Sequence, residues 1–518
     1  MPVTVQAILA ARIDRLNPDA KQLLQVASVV GKEVSARALG MTAGLREDAI
    51  DRELSDLTES GFLYEAEIYP QRILAFRHPL TREVAYGTQL ADRRRETHAA
   101  AARATVELEP DRLDELAGLV AHHMEEGGEQ LEAARWFARA AHWAGHSQPR
   151  DALRLWQRVT ALAAELEENE ETIGLALLSR MLQLEYAWRL GMDQAEAEAL
   201  ANEAIELAER VGDVHTQALL KLLTGARPGV AERSSEWVAA AREATELADG
   251  TGDPALRIAV RSAGAYAQIC AGDLDALEIT VDELIELTAG DPTLGAGIVV
   301  GCPIAWGPMA KSMALRERDR MDEAEALLDK ALDLAMEQED PETQSWGLGT
   351  KGQLLADRGE IEAALAVTRR NRELTDRLGD VFSRSTALTA TSYVLNVAGE
   401  SEEALATVEL ADRIYREAMG DGGESEAWRA TQRARALLSL GREEEALEEA
   451  EWAVATAKRR EMGWQIPPAL QTLAQARAAL GADGVEAALD EAADFAGRRG
   501  HAMALRRIEA DRETLATA

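Results

Sequence analysis

A glycine and an aspartate, or a close equivalent, recur side by side at Gly212-Asp213, Gly252-Asp253, Gly290-Asp291, Glu339-Asp340, Gly379-Asp380 and Gly420-Asp421. The spacings are 40, 38, 49, 40 and 41 residues. Glycine just past the last helical residue can take the left-handed conformation that ends a helix, and aspartate directly beyond it can cap the next. Each pair therefore predicts a tight turn between two helices. A second punctuation falls between these marks, at Leu190-Gly191, Ala271-Gly272, Arg358-Gly359, Ala398-Gly399 and Leu440-Gly441. An acidic stretch and an alanine-rich amphipathic segment follow each one. Ala324, Ala364, Ala404 and Ala446 share one phase of that second helix, and Leu365, Leu405 and Leu447 stand beside three of them. Small side chains at a fixed phase let two helices close up while leucine fills the seam. The repeating unit is thus a helical hairpin that can bury its apolar face only against its neighbours.

Composition agrees with this reading. Hydrophobic residues make up 47% of the 518-residue chain but aromatics only 4%, as suits helices packed through small side chains. That length exceeds one ordinary globular core, whereas a repeat array grows along one axis. Degenerate earlier hairpins are visible around Ala133-Ala134 with Trp136 and Phe137, and around Asp151-Ala152 with Trp156. Eight to ten hairpins are expected in all.

The net charge of −35 is unevenly spread, because residues 1–100 hold 13 Lys and Arg against 14 Asp and Glu. The array is the acidic part. Its field repels phosphate backbones and anionic lipid, so neither nucleic acid nor a membrane surface is an expected partner there. A solvated acidic face explains the charge better than a site for a basic partner. Cys270 and Cys302 are the two cysteines and lack metal-ligand spacing, which fits a reducing compartment and predicts no metal site. No apolar run is long enough for a membrane span and no secretion signal opens the sequence, so a soluble, cytoplasmic protein is expected.

Residues 1–100 differ in texture. Ile8 to Leu16 reads as a helix ended by Asn17-Pro18, and a second helix is expected from Asp19 to Val30. Two short ones follow near residues 35–42 and 47–60. After Gly61, the segments Phe62-Leu63-Tyr64 and Ile73-Leu74-Ala75-Phe76 flank a turn at Tyr69-Pro70-Gln71-Arg72. Three or four helices followed by a hairpin describe a small winged-helix-like domain over residues 1–100, with the repeat array over 101–518.

The hairpins resemble tetratricopeptide repeats of the longer-period variety found in large bacterial signalling ATPases. Leu9-Ala10-Ala11-Arg12-Ile13-Asp14-Arg15-Leu16, Gly61-Phe62-Leu63, Phe76-Arg77-His78-Pro79-Leu80, Val84-Ala85-Tyr86, Arg93-Arg94-Arg95 and His98 resemble the winged-helix segment of signal-transducing ATPases with numerous domains. In those proteins that segment follows an AAA-type ATPase core and precedes tetratricopeptide repeats. The versions linked to class III adenylate or guanylate cyclases are the preferred relatives, because residues 293–306 are also similar to them; the LuxR-type regulators are more distant. The resemblance implies an all-α, tetratricopeptide-like solenoid behind a winged-helix-like head with a short β-hairpin. No Gly-x-x-x-x-Gly-Lys-Ser/Thr loop occurs, and neither a cyclase domain nor a C-terminal helix-turn-helix is recognisable. Such a chain corresponds to the back half of a family member.

Candidate sites are few. A recognition helix at residues 47–60 would carry Asp51, Glu53, Asp56 and Glu59 against Arg52, a poor match for DNA. His142 and His146 are four apart, but no third metal ligand accompanies them, so structural histidines are expected. Arg93-Arg94-Arg95 reads as a solvated helix face. No catalytic, cofactor-binding or metal-binding residue is assigned. In the one longer repeat, glycines and prolines between residues 295 and 308 are expected to break an inner helix. Cys302, Trp306 and Met309, with Trp346 one repeat later, then form the expected recognition surface. The function expected is a non-catalytic regulatory or protein-interaction module. Its array would bind a protein, peptide or small signal molecule, with a separate ATPase or cyclase polypeptide as a further partner. A fragment of a larger ATPase or cyclase, and a DNA-binding regulator, are the alternatives.

Overall fold

The computed structural model describes residues 3–67, 69, 71–190, 192–225, 233–420, 423 and 425–515. The chain divides into two compact units: Met1–Ala144 with Asp151–Ser179, and Gly145–Arg150 with Arg180–Ala518.

The first unit begins with α1 (Val3–Ile13), α2 (Pro18–Val30), β1 (Glu33–Ser35), α3 (Ala36–Ala43) and α4 (Glu47–Glu59). It continues with β2 (Leu63–Glu67), β3 (Ile73–Phe76), α5 (Pro79–Gly87) and α6 (Ala91–Leu108). Local chemistry sets the helix starts. Asn17 accepts from the Ala20 amide ahead of Pro18, and Ser35 accepts from the Ala38 amide at the end of β1. The strands form an antiparallel sheet in the order β1-β3-β2. Of the expected turn, Pro70 lies outside the described residues and Tyr69 is exposed. Leu23, Leu24, Leu39, Leu54, Leu57 and Leu74 are fully buried between helices and sheet. Packing in the first unit continues past residue 100. Helix α6 lays a buried alanine face (Ala99, Ala101, Ala102, Ala104) and packs on α2 and α3 as well as on α7 (Leu113–Glu126). Helices α8 (Gln130–Ala144) and α9 (Pro149–Glu165) follow, and α10 (Glu170–Leu190) runs on into the second unit.

The second unit is an array: α11 (Gln194–Val211), α12 (Val214–Gly225), α13 (Ser234–Thr251), α14 (Pro254–Ala271), α15 (Leu274–Thr288), α16 (Pro303–Glu317), α17 (Met321–Glu337) and α18 (Pro341–Asp357). It ends with α19 (Ile361–Leu378), α20 (Val381–Ala398), α21 (Ser401–Met419), α22 (Glu426–Ser439), α23 (Glu443–Arg459), α24 (Ile466–Ala479), α25 (Val485–Arg499) and α26 (Ala502–Leu515). The pairs from α12/α13 to α24/α25 pack as helical hairpins. Gly212, Gly252 and Gly379 take φ of 68°, 71° and 71°, and Asp253 and Asp380 each accept two backbone amides of the helix that follows. Gly191 and Asp421 lie outside the described residues. Ala324, Ala364, Ala404 and Ala446 are all fully buried. This is the tetratricopeptide-like α-solenoid expected from the spacing.

The two helices of a hairpin are unequal. In α18, 11 of 17 residues are buried, whereas its partner α19 buries Ala364, Thr368, Asn371 and Thr375 alone. The first helix of each pair is therefore the inner one. Many of its buried residues are Ser and Thr, whose hydroxyls find carbonyls: Ser385 donates to Ala411 at 3.1 Å and Ser392 to Ala404 at 2.8 Å.

The array also closes on itself. The turn between α23 and α24 crosses the turn between α14 and α15 so tightly that a Cβ on Gly463 would lie 2.0 Å from the Ala271 carbonyl oxygen. Arg499 donates to the Ala271 carbonyl at 2.9 Å and His501 to the Gly272 carbonyl at 3.1 Å, across 228 and 229 positions of sequence. The Ser234 amide donates to the Arg460 carbonyl at 2.9 Å. Helix α26 packs against α16 as well as α24 and α25. No helix of the described residues is long and apolar enough to cross a membrane.

Candidate binding cavity in the helical array

Inner helices α14, α16, α18, α20 and α22 surround a cavity of about 90 Å³. Asp253, Asp340 and Asp380 cap the starts of α14, α18 and α20 and so fix which of their side chains point inward. Tyr266, Trp346, Phe382, Trp428 and Trp464 line the cavity, a concentration that stands out in a chain with 4% aromatic residues. Trp346 meets Tyr266 edge-on at 5.0 Å and lies tilted against Phe382 at 5.6 Å, while Trp428 and Trp464 pack edge-on at 5.3 Å. The lining is mostly apolar, with Leu274, Leu277, Met313 and Ala390 between the rings.

Three lining residues keep a buried polar atom without a partner among the described residues: the indole nitrogens of Trp346 and Trp464 and Oδ1 of Asn371. Asn371 is 1% exposed. Each such group costs about 1–3 kcal/mol relative to a hydrogen-bonded one.

One end of the cavity is charged yet internally balanced. The buried Arg316 pairs with Asp357 at 2.7 Å and Glu317 at 2.9 Å. Tyr393 and Asp357 hydrogen-bond to each other, and Arg507 of α26 reaches both. Burial pushes the Glu317 carboxyl up, but His501 and Arg316 outweigh it and hold its pKa at about 2. Burial is also the largest influence on Tyr393, whose pKa is raised.

Trp306 and Met309 are buried in the hydrophobic cluster of α14–α17, against which Trp346 also packs. Cys302 sits in a neighbouring cluster with Ala305 and Ala335, where burial pushes its thiol up. Of the four residues, Trp346 alone lines the cavity. The inserted stretch does not break a helix. It forms a loop ahead of a continuous α16, anchored by Asp340, which accepts from the Cys302 amide at 2.9 Å and from Thr343 Oγ1 at 2.7 Å. Gly307 within α16 lets α15 approach, since a Cβ there would lie 3.0 Å from Leu284. Aromatic residues near the repeat spacing were the available signal: Tyr266 and Trp346 are 80 residues apart, and Phe382, Trp428 and Trp464 follow at intervals of 36, 46 and 36.

A second cluster, in the first unit, escaped the sequence reading. Tyr86 Oη and His98 Nε2 are 3.0 Å apart, and His98 Nδ1 lies 2.9 Å from His123 Nδ1. His123 donates to the Val30 carbonyl, necessarily through its other nitrogen. One tautomer set satisfies all of this: Tyr86 donates to His98, His98 to His123, and His123 to Val30. A further proton would place two N–H groups face to face. Burial, reinforced by His122, Arg94 and Arg82, lowers His98 to about 3 and His123 to about 4. His142 packs edge-on against Trp156, and the side chain of His146 lies outside the described residues. Arg93 and Arg95 pair with Glu96 and Asp92 on an exposed face, while Arg94 lies over Tyr86. Among the described residues, no group of three His, Cys, Asp or Glu is placed to hold a metal ion.

No family model matches the chain, and no curated protein does. Known structures do. A Rap protein in complex with competence and sporulation factor matches 76% of this chain over 99% of its own, at 14% identity and a TM-score of 0.49. Aspartyl phosphate phosphatase F from Bacillus subtilis matches 71% over 93%, at 12% identity and 0.42. A signal transduction ATPase with numerous domains, carrying a tetratricopeptide repeat sensor, from Pyrococcus horikoshii matches 93% of this chain over 63% of its own, at 12% identity and 0.36. The likeness is one of helical-repeat architecture.

Proposed function

We propose that the chain is a non-catalytic regulatory module whose array recognises a signal at the cavity and whose head passes the result to a signal-transducing ATPase or a class III cyclase. One observation carries the reading: the cavity is walled by the inner helices of consecutive hairpins in an array that also contacts itself at Gly272 and Gly463. An occupant that alters helix spacing thus acts on a closed stack, which has few ways to absorb the change other than by shifting as a whole. Cys302, Trp306 and Met309 serve as the rigid backing of that wall, with Trp346 at its face.

The head supports the reading. From α2 onward its order of helix, strand, two helices and two strands supports reading it as winged-helix-like. In α4, Asp51 is tied to Arg72 at 2.7 Å and Asp56 accepts from Asn17 at 2.9 Å, a surface suited to a protein neighbour and poorly suited to a phosphate backbone.

The test is co-expression with ATPase cores and class III cyclases of the same genome. The chain is expected to change the turnover of one of them, and Gly349→Leu, which places a side chain in the cavity wall, to abolish that change. Turnover unaffected by the chain in every pairing would refute the proposal.

A further inference from the structure

We propose that the inner helices hold a second site, at Arg435, for the carboxylate group of an organic acid. It lies outside the aromatic cavity and does not depend on the role proposed for that cavity. Asp357, Asn396, Arg435 and Gln475 stand 39, 39 and 40 residues apart, near the ends of α18, α20, α22 and α24, and all four line one groove. Arg506 and Arg507 of α26 line it too. Its volume of about 480 Å³ leaves room for an organic acid without parting the helices.

Arg435 is set apart by its partners. The other arginines of the inner helices α14 to α24, namely Arg257, Arg261, Arg316, Arg384, Arg429, Arg433 and Arg477, each have a carboxylate oxygen at 3.5 Å or less. Half-buried Arg435 forms no ion pair with any described residue. Its Nε donates to Thr472 Oγ1 at 3.1 Å, and Thr472 donates in turn to the Pro468 carbonyl at 2.8 Å. The guanidinium is therefore held in place, while its two terminal nitrogens have no hydrogen-bond partner among the described residues. Burial is the largest influence on it and lowers its pKa; Arg507 acts in the same sense, against Tyr393, Asp511 and Asp357. Asp511 is itself taken up by the amides of Gln471 at 2.6 Å and Gln475 at 3.0 Å. Water is thus partly withdrawn from a charge that no carboxylate matches, whereas buried charges are normally paired.

Shape and charge name the missing group. With Nε committed to Thr472, the edge formed by the two terminal nitrogens remains, and its parallel N–H donors fit the two oxygens of a carboxylate. Arg506 and Arg507 are matched by Asp319 and Asp357, which leaves one unmatched positive charge among the lining residues. A monoanion balances it, whereas a phosphate dianion would bring a second negative charge toward Asp357. Ala356, Val397 and Leu438 offer apolar surface to the body of the acid.

Calorimetric titration of the full chain at neutral pH tests this with hexanoate, hexanamide and inorganic phosphate. Hexanoate is expected to bind about tenfold more tightly than the other two, since a hydrogen bond to an ionised partner is roughly twice as strong as a neutral one. In Arg435→Gln that preference should vanish, with the melting temperature unchanged or higher because an unmatched charge is gone. Val397 lines the groove and is 46% exposed, so Val397→Glu supplies a carboxylate from the chain itself and should also abolish hexanoate binding, while Val397→Gln should retain it. N-acetyl-leucine separates the two sources of the group: tighter binding than hexanoate supports a peptide carboxyl terminus, and weaker binding supports a free acid. Hexanamide or phosphate binding as tightly as hexanoate would overturn the proposal, as would no binding of either acid. Undiminished hexanoate binding in folded Arg435→Gln or Val397→Glu would do the same.

Discussion

The head and the array solve the problem of burial in opposite ways. In the head, Leu23, Leu24, Leu54 and Leu74 converge from several helices and a sheet on one centre. Its buried polar chain from Tyr86 through His98 and His123 to Val30 is fully satisfied. In the array the seams hold alanines, Ala364 and Ala404 among them, and no hairpin owns its core. Its polar interior keeps three groups around the cavity unpaired. The contrast teaches that the head depends on one shared centre, whereas each hairpin of the array depends on its neighbours.

The largest expected effect should be confined to the head. Leu24→Ala removes a fully buried side chain and should cost about 2–5 kcal/mol in the first unit. Differential scanning calorimetry should show that unit's transition falling while the array's stays, and a common fall of both would break the comparison. In the array, Gly463→Ala forces a Cβ into the Ala271 carbonyl and should cost about 1–3 kcal/mol. Hydrogen exchange should then rise in α14–α16 as well as near residue 463.

A smaller effect comes from pH. His98 and His123 titrate at about 3 and about 4 when folded, against 6.5 ordinarily. The unfolded chain therefore takes up protons first as pH falls. Stability of the head is complete above pH 6.5 and declines toward pH 4, by at most about 1.4 kcal/mol per pH unit for each histidine. Urea midpoints measured across that range should flatten in His123→Gln; an unchanged slope would mean the histidines are not held neutral. The smallest change is expected from Asp380→Ala, which strips two amide partners from the start of α20 and should cost about 1 kcal/mol by urea unfolding.

Periodic features were legible in the sequence because they are local and repeated. Gly379 with Asp380, and the alanines at one phase of the second helix, each state a turn or a seam by themselves. The inserted stretch was misread because Asp340, which anchors it, does two jobs: it caps α18 and holds the Cys302 amide. Proline and glycine there looked like a broken helix but make a loop before an intact one. The cavity escaped for another reason. Asn371 sits on an outer helix, where an asparagine reads as a surface residue, and its burial depends on how α18, α19 and α20 stack. The contact of Gly272 with Gly463 depends on the pitch of the whole array, which no single repeat encodes.

That contact changes what kind of system the array is. An open stack of repeats has two ends, and unfolding begins where a unit has one neighbour in place of two. Joining the turn after α14 to the turn after α23 gives the interaction graph a cycle, so the last hairpins no longer behave as a boundary. Fraying at α24 to α26 must break contacts with α14 and α16 as well, and the tail of the protein reports on its middle.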